Sequence, residues 1–154
     1  MAHGAVQDVD EQSISLGEIT RSLGFLIRIA QIKVFENFFD KLGEHGLKPG
    51  EFTVLWVIGL NPGLRQGTVA NTLRIKPAHM TKLTGRLVDR GLVSRETPED
   101  DRRAVRLSLT PQGQSFVDTH RHAFLTFHFT EKDNLSDEEA KQFLILLQKF
   151  TGLH

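Results

Sequence analysis

A chain of 154 residues is long enough for one domain with a real core, and its 39% apolar and 25% charged residues are ordinary for a globular protein. The absence of cysteine excludes a disulfide framework, a thiolate zinc site and a cysteine redox sensor, and no apolar run nears the ~20 residues that span a bilayer. Net charge is zero, yet from Leu64 to Arg106 ten Lys/Arg stand against five Asp/Glu, a basic middle between acidic flanks that lets one surface attract phosphates.

Residues 1–14 are polar and acidic, without the basic-then-apolar order of a secretory signal. They are expected to be a disordered tail, and the chain is expected to be cytoplasmic. Leu16 to Leu42 reads as one proline-free helix with two apolar stripes. Leu16, Ile19, Leu23, Leu26, Ile27, Ala30, Val34 and Phe38 form one at 3.6-residue spacing; Phe25, Ile29, Ile32 and Phe39 form a second, nearly opposite. A helix with two apolar sides is expected to pack its own subunit with one and a partner chain with the other.

Pro49 marks a helix start, and "NPG" at Asn61–Gly63 marks a turn. A short helix over about Gln66 to Leu73 turns Val69, Ala70 and Leu73 inward. The next helix opens at Pro77 and stops at Gly91. Met80, Leu83 and Leu87 are its inward residues, and His79, Lys82 and Arg86 are placed on the opposite side. Gly85 weakens this helix by ~1 kcal/mol relative to Ala without an evident reason. Leu92 to Glu96 is extended, "TPEDDRR" is a loop, and Val105, Leu107 and Leu109 alternate with Ala104, Arg106 and Ser108 as in a half-buried strand. Together these make a hairpin with a charged tip.

Thr110 and Pro111 then open a helix carrying Phe116, Val117, Phe124, Leu125, Phe127 and Phe129. Ser136 with Glu139 forms a capping box for the last helix, whose apolar content is Phe143, Leu144, Leu146, Leu147 and Phe150.

Helix, turn, helix, then a two-stranded hairpin is the order of a winged helix-turn-helix, whose second helix enters the major groove of DNA. The fold class is therefore mainly α with a small β-hairpin wing (α+β). On this reading His79, Lys82 and Arg86 project from the reading helix. Lys76 stands at its N-terminus, where it offers no capping oxygen but suits a phosphate.

The stretch "DRRAVRLSLTPQG" (Asp101–Gly113) matches, at every specified position, the wing pattern of Asp, any residue, Arg, three residues, Leu, one, Leu-Thr, two, Gly. It resembles the MarR family of transcription regulators, and "RLVDRGLVSR" (Arg86–Arg95) is similar to the family as well. The resemblance implies a homodimer on a pseudo-palindromic operator, probing double-stranded DNA with a 47–110 winged domain and pairing through helical regions 15–46 and 111–154. It implies that Arg103, with Arg102 beside it, is the wing-tip arginine entering the minor groove, held in place by Asp101. It also implies a repressor relieved by a small aromatic or acidic effector. Arg28, Phe35 and Trp56 are candidate ligand contacts, against the plainer reading of core aromatics and a snorkelling arginine. Lys48 and Arg65 depart from the small polar caps expected at helix starts.

Three other readings were weighed. His120 and His122 are two apart in a helix and diverge by ~200°, so they cannot chelate one ion; His128 is also poorly aligned, and no metal or cofactor is expected. No nucleophile elbow, phosphate-cradling loop or paired carboxylates indicate an enzyme; Asp133, Asp137, Glu138 and Glu139 read as the acidic start of a helix. A winged helix serving only as a protein-interaction or dimerisation module remains the alternative.

Overall fold

The computed structural model describes residues 14–127 and 134–153; the tail assigned to residues 1–14 falls almost wholly outside them, as do His128, Phe129 and Asp133. Two compact units are delimited between Lys33 and Val34. In the first, a 3-10 turn, Gly17–Arg21, precedes α1, Leu23–Leu42. The single helix expected from Leu16 is thus interrupted. Ser22 is extended (ψ 118°), and its Oγ accepts a hydrogen bond from the Phe25 N–H at 3.4 Å. Serine competes for backbone donors and so favours a cap over a helix interior. Leu23, Leu26, Ile27, Ile29 and Ile32 are all exposed in the protomer.

In the second unit the end of α1 is followed by α2, Pro49–Leu60; β1, Leu64–Arg65; α3, Gln66–Thr72; α4, Pro77–Asp89; β2, Val93–Glu96; β3, Arg106–Leu109; α5, Pro111–Thr126; and α6, Asp137–Thr151. Of the first stripe of α1 only Phe38 is buried, with Val34 packed against the same core. The core gathers Phe52, Leu55 and Ile58 from α2, Met80 and Leu87 from α4 and Leu107 from β3, each contributing about 1.5–3 kcal/mol by leaving water. Phe52 stacks on Phe124 of α5 with centroids 4.3 Å apart, and Phe38 meets Phe127 edge-on.

Lys48 cannot cap α2 with its side chain. The Glu51 carboxylate does half of that work, accepting the Lys48 N–H at 2.9 Å. This is why the departure from a small polar cap is tolerated.

The sheet has three strands, in the order β1-β3-β2, where two were expected. Leu64 pairs with Leu107 and Val93 with Leu109. A two-residue strand has no readable alternation, so β1 left no periodic signal. It forms because the Asn61–Gly63 turn, with Gly63 at φ +79°, aims the chain at β3, where the Gly63 N–H donates to the Leu107 carbonyl at 2.9 Å. Ala104, expected on the outer side of the strand, is 4% exposed, because β3 begins only at Arg106 and Ala104 still belongs to the folded-back wing loop.

Thr110 joins the wing to α5. Its Oγ1 accepts the Gly113 N–H at 3.0 Å and donates to the Gly91 carbonyl at 2.6 Å, while its N–H donates to the Leu92 carbonyl. Gly113 lies directly on Leu92, and a Cβ there would collide with the Leu92 carbonyl. The expected capping box of α6 is present, Ser136 N–H donating to Glu139 at 2.8 Å; these hydrogen bonds hold the Glu139 carboxyl below its ordinary range. Yet α6 buries none of its residues in the protomer.

Because backbone cannot retreat as a side chain can, Gly113→Ala is expected to destabilise the protein by about 3 kcal/mol or more, read as the free energy of urea unfolding. A variant as stable as the wild type would show that the α5–Leu92 seam is not tight.

Candidate nucleic-acid interface

The orientation of α4 follows from what it buries. Met80, Leu83, Thr84 and Leu87 are its inward residues, and at 100° per residue the diametrically opposite side carries Ala78, Lys82, Gly85 and Asp89. Sequence spacing grouped His79, Lys82 and Arg86 as one outward row. Of these three Lys82 lies nearest the apex; His79 and Arg86 lie on the flank turned toward the start of α2.

That flank is tied down. Arg86 Nη1 lies 3.0 Å from Oε1 of Glu51, whose side chain is only 4% exposed. The contact links α4 to the first turn of α2, so Arg86 is partly spent on docking.

The other flank is tied by a polar network that no sequence pattern indicated. Thr84, fully buried, places Oγ1 3.0 Å from Gln66 Oε1 at the start of α3 and 2.9 Å from the Met80 carbonyl. Arg95 Nη2, from β2, donates to the same hydroxyl at 2.6 Å and to the Thr81 carbonyl at 3.3 Å. One hydroxyl thus joins α3, α4 and a wing strand. The signal available was a threonine in register with the apolar residues of a helix.

At the wing tip Asp101 Oδ1 accepts the backbone N–H of Arg103 at 3.1 Å, and Oδ2 lies 3.5 Å from the Arg65 guanidinium. Asp101 was expected to hold the Arg103 side chain; its hydrogen bond goes instead to the Arg103 backbone and fixes the turn, and among the described residues it makes no contact with that guanidinium. Arg65, the second unexpected residue at a helix start, is this carboxylate's partner. The side chains of Arg102, Arg103, Lys76, His79 and Lys82 have no polar partner among the described residues, and all five residues are exposed. Between α3 and α4, Arg74 adopts φ +54°, a left-handed backbone rarely taken by a residue with a Cβ.

A cavity of about 500 Å³ lies between Phe35 and Phe39 at the end of α1, the first turn of α2 with Lys48 and Glu51, and the His79–Arg86 flank of α4. Phe35 is thus a wall of a real cavity. Trp56 is not part of its lining and instead takes the Arg121 guanidinium over its ring at 5.1 Å. Arg28 is exposed on the first unit. Among the described residues no group of three or more His, Asp or Glu is arranged to hold a metal ion. His120 instead packs on His45, centroids 3.9 Å apart, and burial, followed by the neighbouring His45 charge, lowers its pKa.

A putative transcriptional regulatory protein for the hcr operon of Thauera aromatica is 31% identical over 134 residues, covering 86% of this chain and 81% of that one. The model of the MarR family matches residues 45–104. The chain belongs to the MarR family of transcription regulators. The transcriptional regulator BilQ of Clostridium symbiosum, 28% identical, covers 71% of this chain and 76% of its own. Among solved structures, the repressor CouR bound to a 23-mer DNA duplex superposes with a TM-score of 0.78 at 28% identity, covering 90% of this chain and 98% of that one. Apo MarR from E. coli gives 0.69 at 25% identity, covering 83% and 95%. The winged helix-turn-helix is thus the fold, and transcription regulation, not catalysis, is the activity of these MarR-family relatives.

Thr84→Val keeps the shape of the side chain but leaves Arg95 and Gln66 without their shared partner. A loss of about 1–2 kcal/mol is expected, measured by chemical denaturation, with Ser at this position recovering part of it. A neutral Thr84→Val change would show that the hydroxyl does not tie the elements together.

Proposed function

We propose that this MarR-family chain is a homodimeric repressor. Residues 47–110 would read a pseudo-palindromic operator, with α4 in the major groove and the β2–β3 wing tip at the minor groove. The observation that carries the reading is the separation of roles among the cations: α4 is docked through Arg86 and Thr84, while Lys82 at its apex and Arg102 and Arg103 on the wing have no polar partner among the described residues. CouR, a relative of the same fold, is a repressor held on a DNA duplex, and MdtR of Bacillus subtilis, 27% identical over about half of each chain, is a transcriptional repressor. Lys76 and His79 supply further positive or polar groups around the N-terminus of α4, which itself favours phosphate.

A homodimer is supported by the exposed apolar side chains of both terminal regions, Leu23 to Ile32 and Phe143 to Phe150. Such patches mark interaction surfaces in folded proteins, and two copies place two reading helices about one DNA turn, ~34 Å, apart. A protein-interaction module without DNA specificity has no use for unpartnered cations on both the helix apex and the wing. Gel shifts across a salt series separate the two readings. The wild type is expected to select a defined duplex with steep salt dependence. Lys82→Ala should flatten the slope by about one ion or erase a base preference, and Arg103→Ala should lose most affinity on sites with narrow A·T-rich minor grooves. Unchanged binding by both variants would overturn the assignment.

The cavity supports an effector reading as well. Its volume suits a small molecule, Phe35 and Phe39 form an aromatic wall, and Lys48 and Lys82 border it beside the Glu51–Arg86 pair, so a small aromatic acid matches its chemistry. Saturating benzoate is expected to raise the melting temperature by roughly 2–4 °C, a shift lost in Lys48→Ala and kept in Arg28→Ala. The reverse pattern would move the anchor to Arg28, and no shift in the wild type would remove benzoate-like effectors from this site.

A further inference from the structure

Among the described residues nothing explains a glycine at Gly85. It lies inside α4, and its φ is not among the positive values found at Gly46, Gly63, Gly91 and other turn glycines. A Cβ built on it meets nothing within 4 Å, in contrast to Gly113, where the Leu92 backbone forbids one. Glycine weakens a helix interior relative to alanine. The side chain is therefore missing where the fold would gain from having it, and where there is room.

The place of the omission is specific. Gly85 lies on the apex of α4, one turn from Lys82 on one side and from Asp89, the one acid of the helix, on the other, and next to Arg86. A helix with its side chains is about 10–12 Å across and the major groove about 12 Å wide, so entry is tight. Removing one apex side chain lets the helix axis settle closer to the floor of the groove. Lys82 then reaches base edges, where a shallower helix would leave it among phosphates.

We infer that Gly85 is a specificity-determining residue: the point at which base edges come closest to the α4 backbone, selecting sequence by the absence of a side chain. This rests on the DNA-reading function proposed above. The surface that excludes a methyl is DNA, because Lys82 on the apex and Arg86 beside it suit a polyanion and outnumber the single acid Asp89, and no large apolar side chain stands on this face.

The test begins by enriching duplexes from a random-sequence library with the full-length wild-type protein. Gly85→Ala is then measured for melting temperature, for affinity to the enriched duplex and for affinity to an unselected duplex. The expected result is a melting temperature at or above that of the wild type, about tenfold or greater weakening on the enriched duplex, and unchanged affinity for unselected DNA. Gly85→Ser should weaken selected binding in the same direction. Library reselection with Gly85→Ala should change the preferred bases at one or two positions in each half-site. Wild-type affinity and preference in Gly85→Ala would overturn the inference, as would a lowered melting temperature, which would give the glycine a role in the fold. A wild-type protein that enriches no sequence would overturn the DNA-reading function itself and this inference with it, a result distinct from either.

Discussion

The rotation of α4 about its own axis is the constraint on which the reading surface depends. Hydrophobic burial of Met80, Leu83 and Leu87 holds the helix in place but is non-directional, and a helix seated on grease alone tolerates some roll. Two polar contacts remove that freedom. The buried side chains of Glu51 and Thr84 grip opposite flanks, one through Arg86 and the other through Arg95 and Gln66. A roll of even ~20° would lengthen one set as it compressed the other, because hydrogen bonds weaken steeply away from their preferred geometry. Lys82 points where it does because of residues on either side of it that face inward.

The same contacts revise the meaning of the basic middle. Half of its ten cations are used inside the fold: Arg65 on Asp101, Arg86 on Glu51, Arg90 on the His45 carbonyl, Arg95 on Thr84 and Arg106 on the Gly63 carbonyl. The positive charge still contributes to the long-range field, but the side chains free to reach a partner are fewer than composition implied. An electrically neutral chain can therefore hold a cationic surface without a large basic excess. Its arginines act first as multidentate struts, a task that suits the planar guanidinium.

Much of this architecture was legible in the sequence, and the exceptions share a cause. Pro49, Pro77, Thr110-Pro111, Ser136 with Glu139, and Gly91 announce their helix ends through local chemistry, and each end falls where that chemistry puts it. The wing pattern from Asp101 to Gly113 was equally readable, including Gly113, whose need for a bare Cα became clear only against Leu92. Ser22 could have been read as a cap but was overridden by the continuous apolar periodicity on both sides of it. What periodicity could not show were contacts between distant segments. The pairing of β1 with β3, the burial of Ala104, the Glu51–Arg86 pair and the three-way junction at Thr84 all depend on where other elements lie. For the candidate site, the cations are readable as residues, but their division into struts and groups without a partner among the described residues needs three dimensions.

The two flanks and the apex of α4 also divide the helix by what mutation can reach. Residues at Thr84 and Arg86 are bound by neighbours on α2, α3 and β2, so a change there propagates into the fold. Ala78, Lys82 and Gly85 face away from the core, so the chain itself places few demands on them. With the DNA-reading role proposed above, one copy can, after gene duplication, drift at the apex toward a new target while its scaffold stays intact. The helix is thus built as a fixed mount with an exchangeable face, and divergence of binding preference among relatives need not wait for compensating changes elsewhere.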